Sequence, residues 1–139
     1  LLLLYSGVTR KAGPLLRKAR ANFRKSDDVL KRMREQAALL RSELQQGNIE
    51  AVGPVLREGW ELKKSLAGGI TTPHIDQAYR AALKAGAAGG KILGAGGGGF
   101  LLLFVPPQRR QRVLRAVRGW REIPFNFEPE GSKIIYVSK

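Results

Sequence analysis

The chain opens on Leu1-Leu2-Leu3-Leu4-Tyr5, an unbroken apolar run that stops near Gly7. Such a run predicts a buried strand rather than an amphipathic one. Helical spacing then takes over, and a first, basic helix is predicted from Arg10 or Pro14 to Arg24. Ser26-Asp27-Asp28 supplies N-cap chemistry for a second helix, in which Leu30, Met33, Ala37, Leu40 and Leu44 recur on one face until Gly47-Asn48 ends it. A third helix is expected to start near Asn48 and to carry Val52, Val55, Leu56, Trp60 and Leu62. Pro54 fits it only in the first turns, and Gly68-Gly69 stops it. Thr72-Pro73 pairs an N-cap with a first-turn proline and opens a fourth helix holding Ile75, Tyr79, Ala82 and Leu83. That helix fades into the small residues from Ala85 to Gly90.

The pattern changes at Lys91. Lys91-Ile92-Leu93 and Phe100 to Val105 are two apolar runs joined by Gly94-Ala95-Gly96-Gly97-Gly98-Gly99, which predicts two strands with a glycine-rich connection. Pro106-Pro107 opens a final helix with Val113, Leu114, Val117 and Trp120 inward and Arg109, Arg110, Arg112, Arg115 and Arg118 mostly outward. Ile123, Phe125 and Phe127 at period two, a turn over Glu128-Pro129-Glu130-Gly131, and Ile134 to Val137 suggest one or two more strands. The order of elements predicts an α+β two-layer sandwich without internal repeats or a linker that would divide it.

With 139 residues the chain is one domain, and 43% hydrophobic residues argue for a packed core. Zero cysteines and one histidine, His74, remove disulfide frameworks, thiolate catalysis and clustered Cys/His metal sites, so no metal ligand is expected. A cytoplasmic setting fits the lack of cysteine. The longest apolar stretch, Ile92 to Val105, is broken by five glycines and stops short of the ~20 residues of a spanning helix, so no membrane partner is expected. The only methionine is Met33, and a chain opening on four leucines has no initiator. The expectation is a piece excised from something longer.

A formal charge of +14 invites an anionic partner without choosing one. Residues 1–34 carry ten Lys/Arg against two acids, and residues 106–121 carry six Arg and no acid, so a basic nucleic-acid-binding α+β module is one reading. It would need exposed aromatics on the central strands, for which only Phe100 and Phe104 offer themselves along a leucine-rich strand. A continuous basic stripe across the sheet would favour it. Arginines scattered over an outer helix would favour solubility.

The loop from Gly94 to Gly99 carries almost no side chains, so its N–H groups are free to approach an anion closely. It is not a P-loop, because Phe100 stands where Lys-Ser or Lys-Thr is required. Gly94, Gly96 and Gly99 match the dinucleotide fingerprint, but that motif must open a helix and this one opens an apolar strand. The protein-kinase glycine loop does join strands, yet its companion V-A-I-K, H-R-D and D-F-G motifs are absent. The bland alternative is a hairpin connection without a ligand.

Gly89 to Phe100, read with the apolar strand that follows, resembles the third signature motif of the GHMP small-molecule kinases, the group of galactokinase, homoserine kinase, mevalonate kinase and phosphomevalonate kinase. Tyr5-Ser6-Gly7-Val8-Thr9-Arg10, Trp60 to Leu66, Ile75 to Tyr79 and Ile123 to Ser132 extend the likeness over nearly the whole chain. Those phrases are similar to the C-terminal half of bacterial D-glycero-D-manno-heptose 7-phosphate kinases. The resemblance implies a ferredoxin-like sandwich with an antiparallel sheet and extra helices, spanning residues 1–139 as a single GHMP-kinase C-terminal domain. It implies that Gly94, Ala95, Gly96, Gly97, Gly98 and Gly99 lie beside the substrate and the phosphate loop of an N-terminal domain. ATP and Mg²⁺ would be bound mainly by that domain, which also supplies the catalytic carboxylate. No catalytic residue is then expected in this chain, and alone it is expected to be inactive. The implied reaction moves the ATP γ-phosphoryl group to the anomeric hydroxyl of the heptose phosphate. Another GHMP substrate, a galactose-like or fucose-like sugar, is the alternative, and nucleic acid is not the expected partner.

Other residues are read both ways. Lys91 flanks the loop as a phosphate contact or as a solvated strand-end lysine. Lys63, Lys64, Arg10 and Lys11 could serve an anionic sugar phosphate or form a solvated face. His74 is read as a capping or surface residue, Asp76 as a helix-dipole partner, and Trp60 and Tyr79 as packing.

Overall fold

The computed structural model describes residues 1–22, 26–131, 133 and 136. Strands Leu2–Tyr5 (β1), Gly89–Ile92 (β2), Phe100–Phe104 (β3) and Arg121–Glu122 (β4) form one sheet in the order β2-β3-β1-β4, every neighbouring pair antiparallel. Because β1 and β2 are each antiparallel to β3, they run parallel to one another, and that relation needs a long crossover. Helices Ala12–Ala21 (α1), Asp27–Gln45 (α2), Val52–Ser65 (α3) and Pro73–Ala85 (α4) fill it, and Arg110–Ala116 (α5) joins β3 to β4. Strand–helix–strand–strand–helix–strand with this order is the ferredoxin-like arrangement, with extra helices in the first crossover.

The register decides which leucines go inside. Leu2 faces Leu103, Leu4 faces Leu101, and Ile92 faces Leu101 from the other side. All five are buried against Trp60, Ile75, Tyr79, Ala82, Val113, Val117 and Trp120 from the helical side. The alternate positions Leu3, Tyr5, Phe100 and Leu102 form the other face and stay partly accessible. The four-leucine run therefore alternates instead of being buried on both faces.

Glycines set how α3 meets the edge strand. A Cβ at Gly89 would lie 1.9 Å from the Gly53 carbonyl oxygen, so helix and strand backbones touch there. Gly89 and Gly90 accordingly belong to β2 and not to the fading end of α4. The end of α4 is Gly86, at φ +112°, and its start is capped as expected: the Thr72 hydroxyl oxygen accepts from the Ile75 N–H at 3.3 Å.

The helix α1 begins at Ala12, between the two expected starts, and Arg24, where it was expected to end, lies outside the described residues. Four expectations are corrected. Before α2 the Ser26 side chain makes no cap; its carbonyl accepts from the Leu30 N–H. Leu30 and Met33 reach the core, but Ala37 and Leu44 are exposed because α2 lies on the outer side of α3, tied to it by Arg32 and Glu58 at 2.7 Å. The last helix is a turn of 3-10 helix, Pro107–Arg109, and the short α5; Trp120 is buried from beyond its end, after Gly119 at φ +102° reverses the chain. The strand expected over Ile123 to Phe127 is instead β4, which pairs through Arg121 and Glu122 and gains one further bond from the Ile123 N–H to the Leu3 carbonyl. Pro124 has no N–H, and pairing stops. Of the last apolar run, Ile134, Ile135 and Val137 lie outside the described residues. None of the described helices is long and apolar enough to cross a membrane.

Candidate functional site

β2 and β3 run antiparallel, and the chain between them returns through a loop in which Gly94, Gly96, Gly97 and Gly99 all have positive φ, between +71° and +104°. Side chains with a Cβ rarely adopt that region, so the run of glycine follows from the path the backbone takes. Close approach adds a second requirement. A Cβ at Gly96 would lie 2.6 Å from the Ile70 carbonyl oxygen, at Gly97 2.8 Å from Arg10 Nη1, and at Gly98 2.8 Å from the Val8 carbonyl oxygen. Gly94 and Gly99 face open space.

Hydrogen bonds hold the loop against its two neighbours. The Gly97 N–H donates to the Ile70 carbonyl and the Gly99 N–H to the Val8 carbonyl, both at 2.8 Å, while the Ser6 N–H donates to the Gly99 carbonyl at 2.9 Å. Two of the N–H groups that an anion nest would use are therefore already committed to protein carbonyls. The N–H groups of Gly94, Ala95, Gly96 and Gly98 make no such backbone bond among the described residues.

Lys63 fastens the loop where it leaves β2. Its ammonium donates to the Ile92 carbonyl at 3.2 Å and to the Gly94 carbonyl at 2.5 Å. Burial holds its pKa below the ordinary lysine value, and the neighbouring Lys91 charge lowers it further. Spacing alone left Lys63 either serving an anionic sugar phosphate or lying on a solvated face. Contact with the loop arises because α3 lies along β2, a juxtaposition that helical periodicity does not contain.

The loop walls a groove of about 220 Å³ lined by Tyr5, Thr9, Arg10, Ala12, Leu93 and Phe100 together with Gly94, Ala95, Gly96, Gly98 and Gly99. Tyr5 and Phe100, opposite one another on β1 and β3, form an aromatic floor with ring centroids 5.2 Å apart. The Tyr5 hydroxyl and the Thr9 hydroxyl are hydrogen-bonded at 3.0 Å, and the Arg121 guanidinium lies 5.7 Å from the Tyr5 ring centre. The groove thus combines two tilted aromatic rings, hydroxyls, bare backbone and a cation.

Several residues singled out from sequence lie elsewhere. Lys91 sits on β2 opposite Leu102, and it is not among the groove-lining residues. Lys64 pairs with Glu61 at 2.8 Å. His74 stacks on Trp120 at 5.2 Å, Asp76 accepts from the Thr71 hydroxyl at 2.7 Å, and Trp60 and Tyr79 are core. Of the aromatics considered for nucleic acid, Phe100 is 38% exposed and Phe104 is buried, while Arg109, Arg112, Arg115 and Arg118 stand exposed in and around α5. Among the described residues no three His, Asp or Glu side chains converge.

Residues 40–121 match the family model described as GHMP kinases C terminal. A comparison with proteins of curated function finds no match. Among solved structures, the chain is similar to Methanococcus jannaschii mevalonate kinase, with 25% identity, a TM-score of 0.70 and coverage of 88% of this chain and 37% of that one. It is also similar to Streptococcus pneumoniae phosphomevalonate kinase in complex with phosphomevalonate and AMPPNP, with 20% identity, a TM-score of 0.71, and coverage of 88% and 39%. L. major mevalonate kinase in complex with R-mevalonate shares the fold at 15% identity and a TM-score of 0.71, with coverage of 85% and 37%. The chain spans less than two-fifths of the length of these proteins.

Proposed function

Because the chain belongs to the GHMP kinases through their C-terminal domain, we propose that it forms the substrate-side half of an ATP-dependent sugar kinase. The substrate class we propose is a phosphorylated sugar, with D-glycero-D-manno-heptose 7-phosphate as the first candidate and its anomeric hydroxyl as the acceptor. The observation that carries this reading is the groove itself: a glycine loop at the sheet edge, an aromatic floor of Tyr5 and Phe100, and Arg10 at the wall. A sugar presents C–H faces to aromatic rings and hydroxyls to backbone groups, and this surface offers both.

In the reaction, the acceptor oxygen bonds to the γ-phosphorus of ATP as the bond to the departing ADP oxygen breaks, and the hydroxyl proton leaves to a base. Such catalysis is mainly positioning and charge neutralisation. The chain's part is to hold the sugar. The uncommitted N–H groups of Ala95, Gly96 and Gly98 are placed to donate to sugar oxygens, Lys63 keeps the loop's first carbonyl fixed, and Arg10 brings a positive charge to the groove. On this reading Mg²⁺, the base and the ATP phosphates belong to an N-terminal GHMP domain.

The test is turnover. A protein joining this chain to an N-terminal GHMP domain is expected to consume ATP with heptose 7-phosphate, and the 139-residue chain alone is expected to consume none. ATP consumption with mevalonate and not with any sugar phosphate would replace this reading by a second one, favoured by the 25% identity to a mevalonate kinase. Turnover with neither would overturn both.

A further inference from the structure

Beside the glycine-loop groove lies another of about 230 Å³, lined by Arg10, Lys11, Pro14, Leu15, Lys18, Gly68 and Gly69. Arg10 belongs to both. The place where they meet is well defined: a Cβ on Gly97 would come within 2.8 Å of Arg10 Nη1 and within 3.1 Å of the Gly69 carbonyl oxygen. Arg10 is thus a shared wall, with the bare loop on one side and the lysines on the other.

Three cations in one groove repel one another unless something negative is present. Elsewhere on this surface that need is met in part, since Lys31, Arg32, Lys64, Arg110 and Lys133 each have a carboxylate partner. Arg10, Lys11 and Lys18 make no ion pair among the described residues, and α1 contains no acidic residue. The floor opposite them is Gly68 and Gly69, the latter at φ +92°, where no side chain limits entry and only Leu15 comes near. A small tetrahedral anion fits such a place better than an extended polymer, because the three cations line one groove of about 230 Å³.

We infer that Arg10, Lys11 and Lys18, gathered around Gly68 and Gly69, form a second anion subsite that seats the phosphate group carried by the substrate, remote from the hydroxyl that is phosphorylated. The inference rests on the kinase reading for the word substrate, but the subsite itself is testable without turnover. It assigns the selection of a phosphorylated over an unphosphorylated sugar to Lys11 and Lys18, which line this groove and not the one at the loop.

The experiment is a nuclear magnetic resonance titration of the 139-residue chain with inorganic phosphate, glucose 6-phosphate and glucose. Saturable shifts are expected at the amides of Lys11, Lys18, Gly68 and Gly69 with both phosphates and not with glucose. Lys11→Gln/Lys18→Gln should weaken phosphate binding about tenfold, as the loss of charge-assisted bonds does. Arg112→Gln/Arg115→Gln, which removes the same charge from α5, should leave it unchanged. Equal weakening by both pairs, shifts spread over all basic residues, or much tighter binding of an oligonucleotide than of phosphate would overturn the subsite. Since none of these readouts involves ATP, loss of the kinase reading and loss of the subsite are separate results.

Discussion

At the scale of single residues, the glycines of the loop divide by what surrounds them. Gly96 and Gly99 both have positive φ, but a Cβ on Gly96 would collide with the Ile70 carbonyl oxygen at 2.6 Å while one on Gly99 would meet nothing. Gly99→Ala should therefore cost only the left-handed backbone, about 1–2 kcal/mol. Gly96→Ala adds displacement of the loop from the carbonyl that receives the Gly97 N–H, and should cost more. Urea unfolding of the two variants checks the order; equal losses would mean that the loop yields freely. The sequence displayed these glycines without distinguishing them, because the collision partners at Val8, Arg10 and Ile70 are remote along the chain.

At the scale of elements, α3 and α4 meet over β2, with Trp60 and Tyr79 rings 6.4 Å apart. Burial, with the Glu61 charge, pushes the Tyr79 hydroxyl up to about 12 from 10.0. The unfolded chain ionises this tyrosine first, so its contribution to stability is complete below pH 10.0 and is lost as pH rises through about 12. Between those values the stability of the native chain should fall more steeply than that of Tyr79→Phe, measured by denaturant unfolding at each pH. Parallel curves would show that the hydroxyl is not held away from water. Helix spacing was enough to place both aromatics in the core and to find the Thr72 cap, since both depend on near neighbours in sequence. The length of the last helix and the end of β4 were not legible. Each is set by a partner: Arg110 at the start of α5 bonds Glu122, and β4 pairs only as far as its own N–H groups reach β1 carbonyls, the last being Ile123 to Leu3 before Pro124.

At the scale of the whole molecule, the charge of +14 acts on stability as well as on ligands. The ion pairs among the described residues lie at the surface and relieve little of the repulsion. Raising sodium chloride from about 0.01 M to about 0.15 M shortens the Debye length from roughly 30 Å to roughly 8 Å, so the melting temperature should rise over that range. A fall would mean that attractive pairs outweigh the repulsion. Arg112 and Arg115 of α5 stand exposed on the helical layer, and Arg10, Lys11 and Lys18, exposed as well, line the groove at Gly68 and Gly69.

By itself the sequence determined the α+β class, the helices with local caps and spacing, the glycine loop between two strands, and through that loop the family. Those features depend on residues within a few positions of one another, or on a motif written in one stretch. Only the tertiary structure decided that Lys63 holds the loop, that Tyr5 and Phe100 share one floor, and that Arg10 joins two grooves. Each of these brings together residues far apart in sequence, and the distances between them are set by the strand register and by how closely backbone packs on backbone at Gly53, Gly89, Gly96 and Gly97.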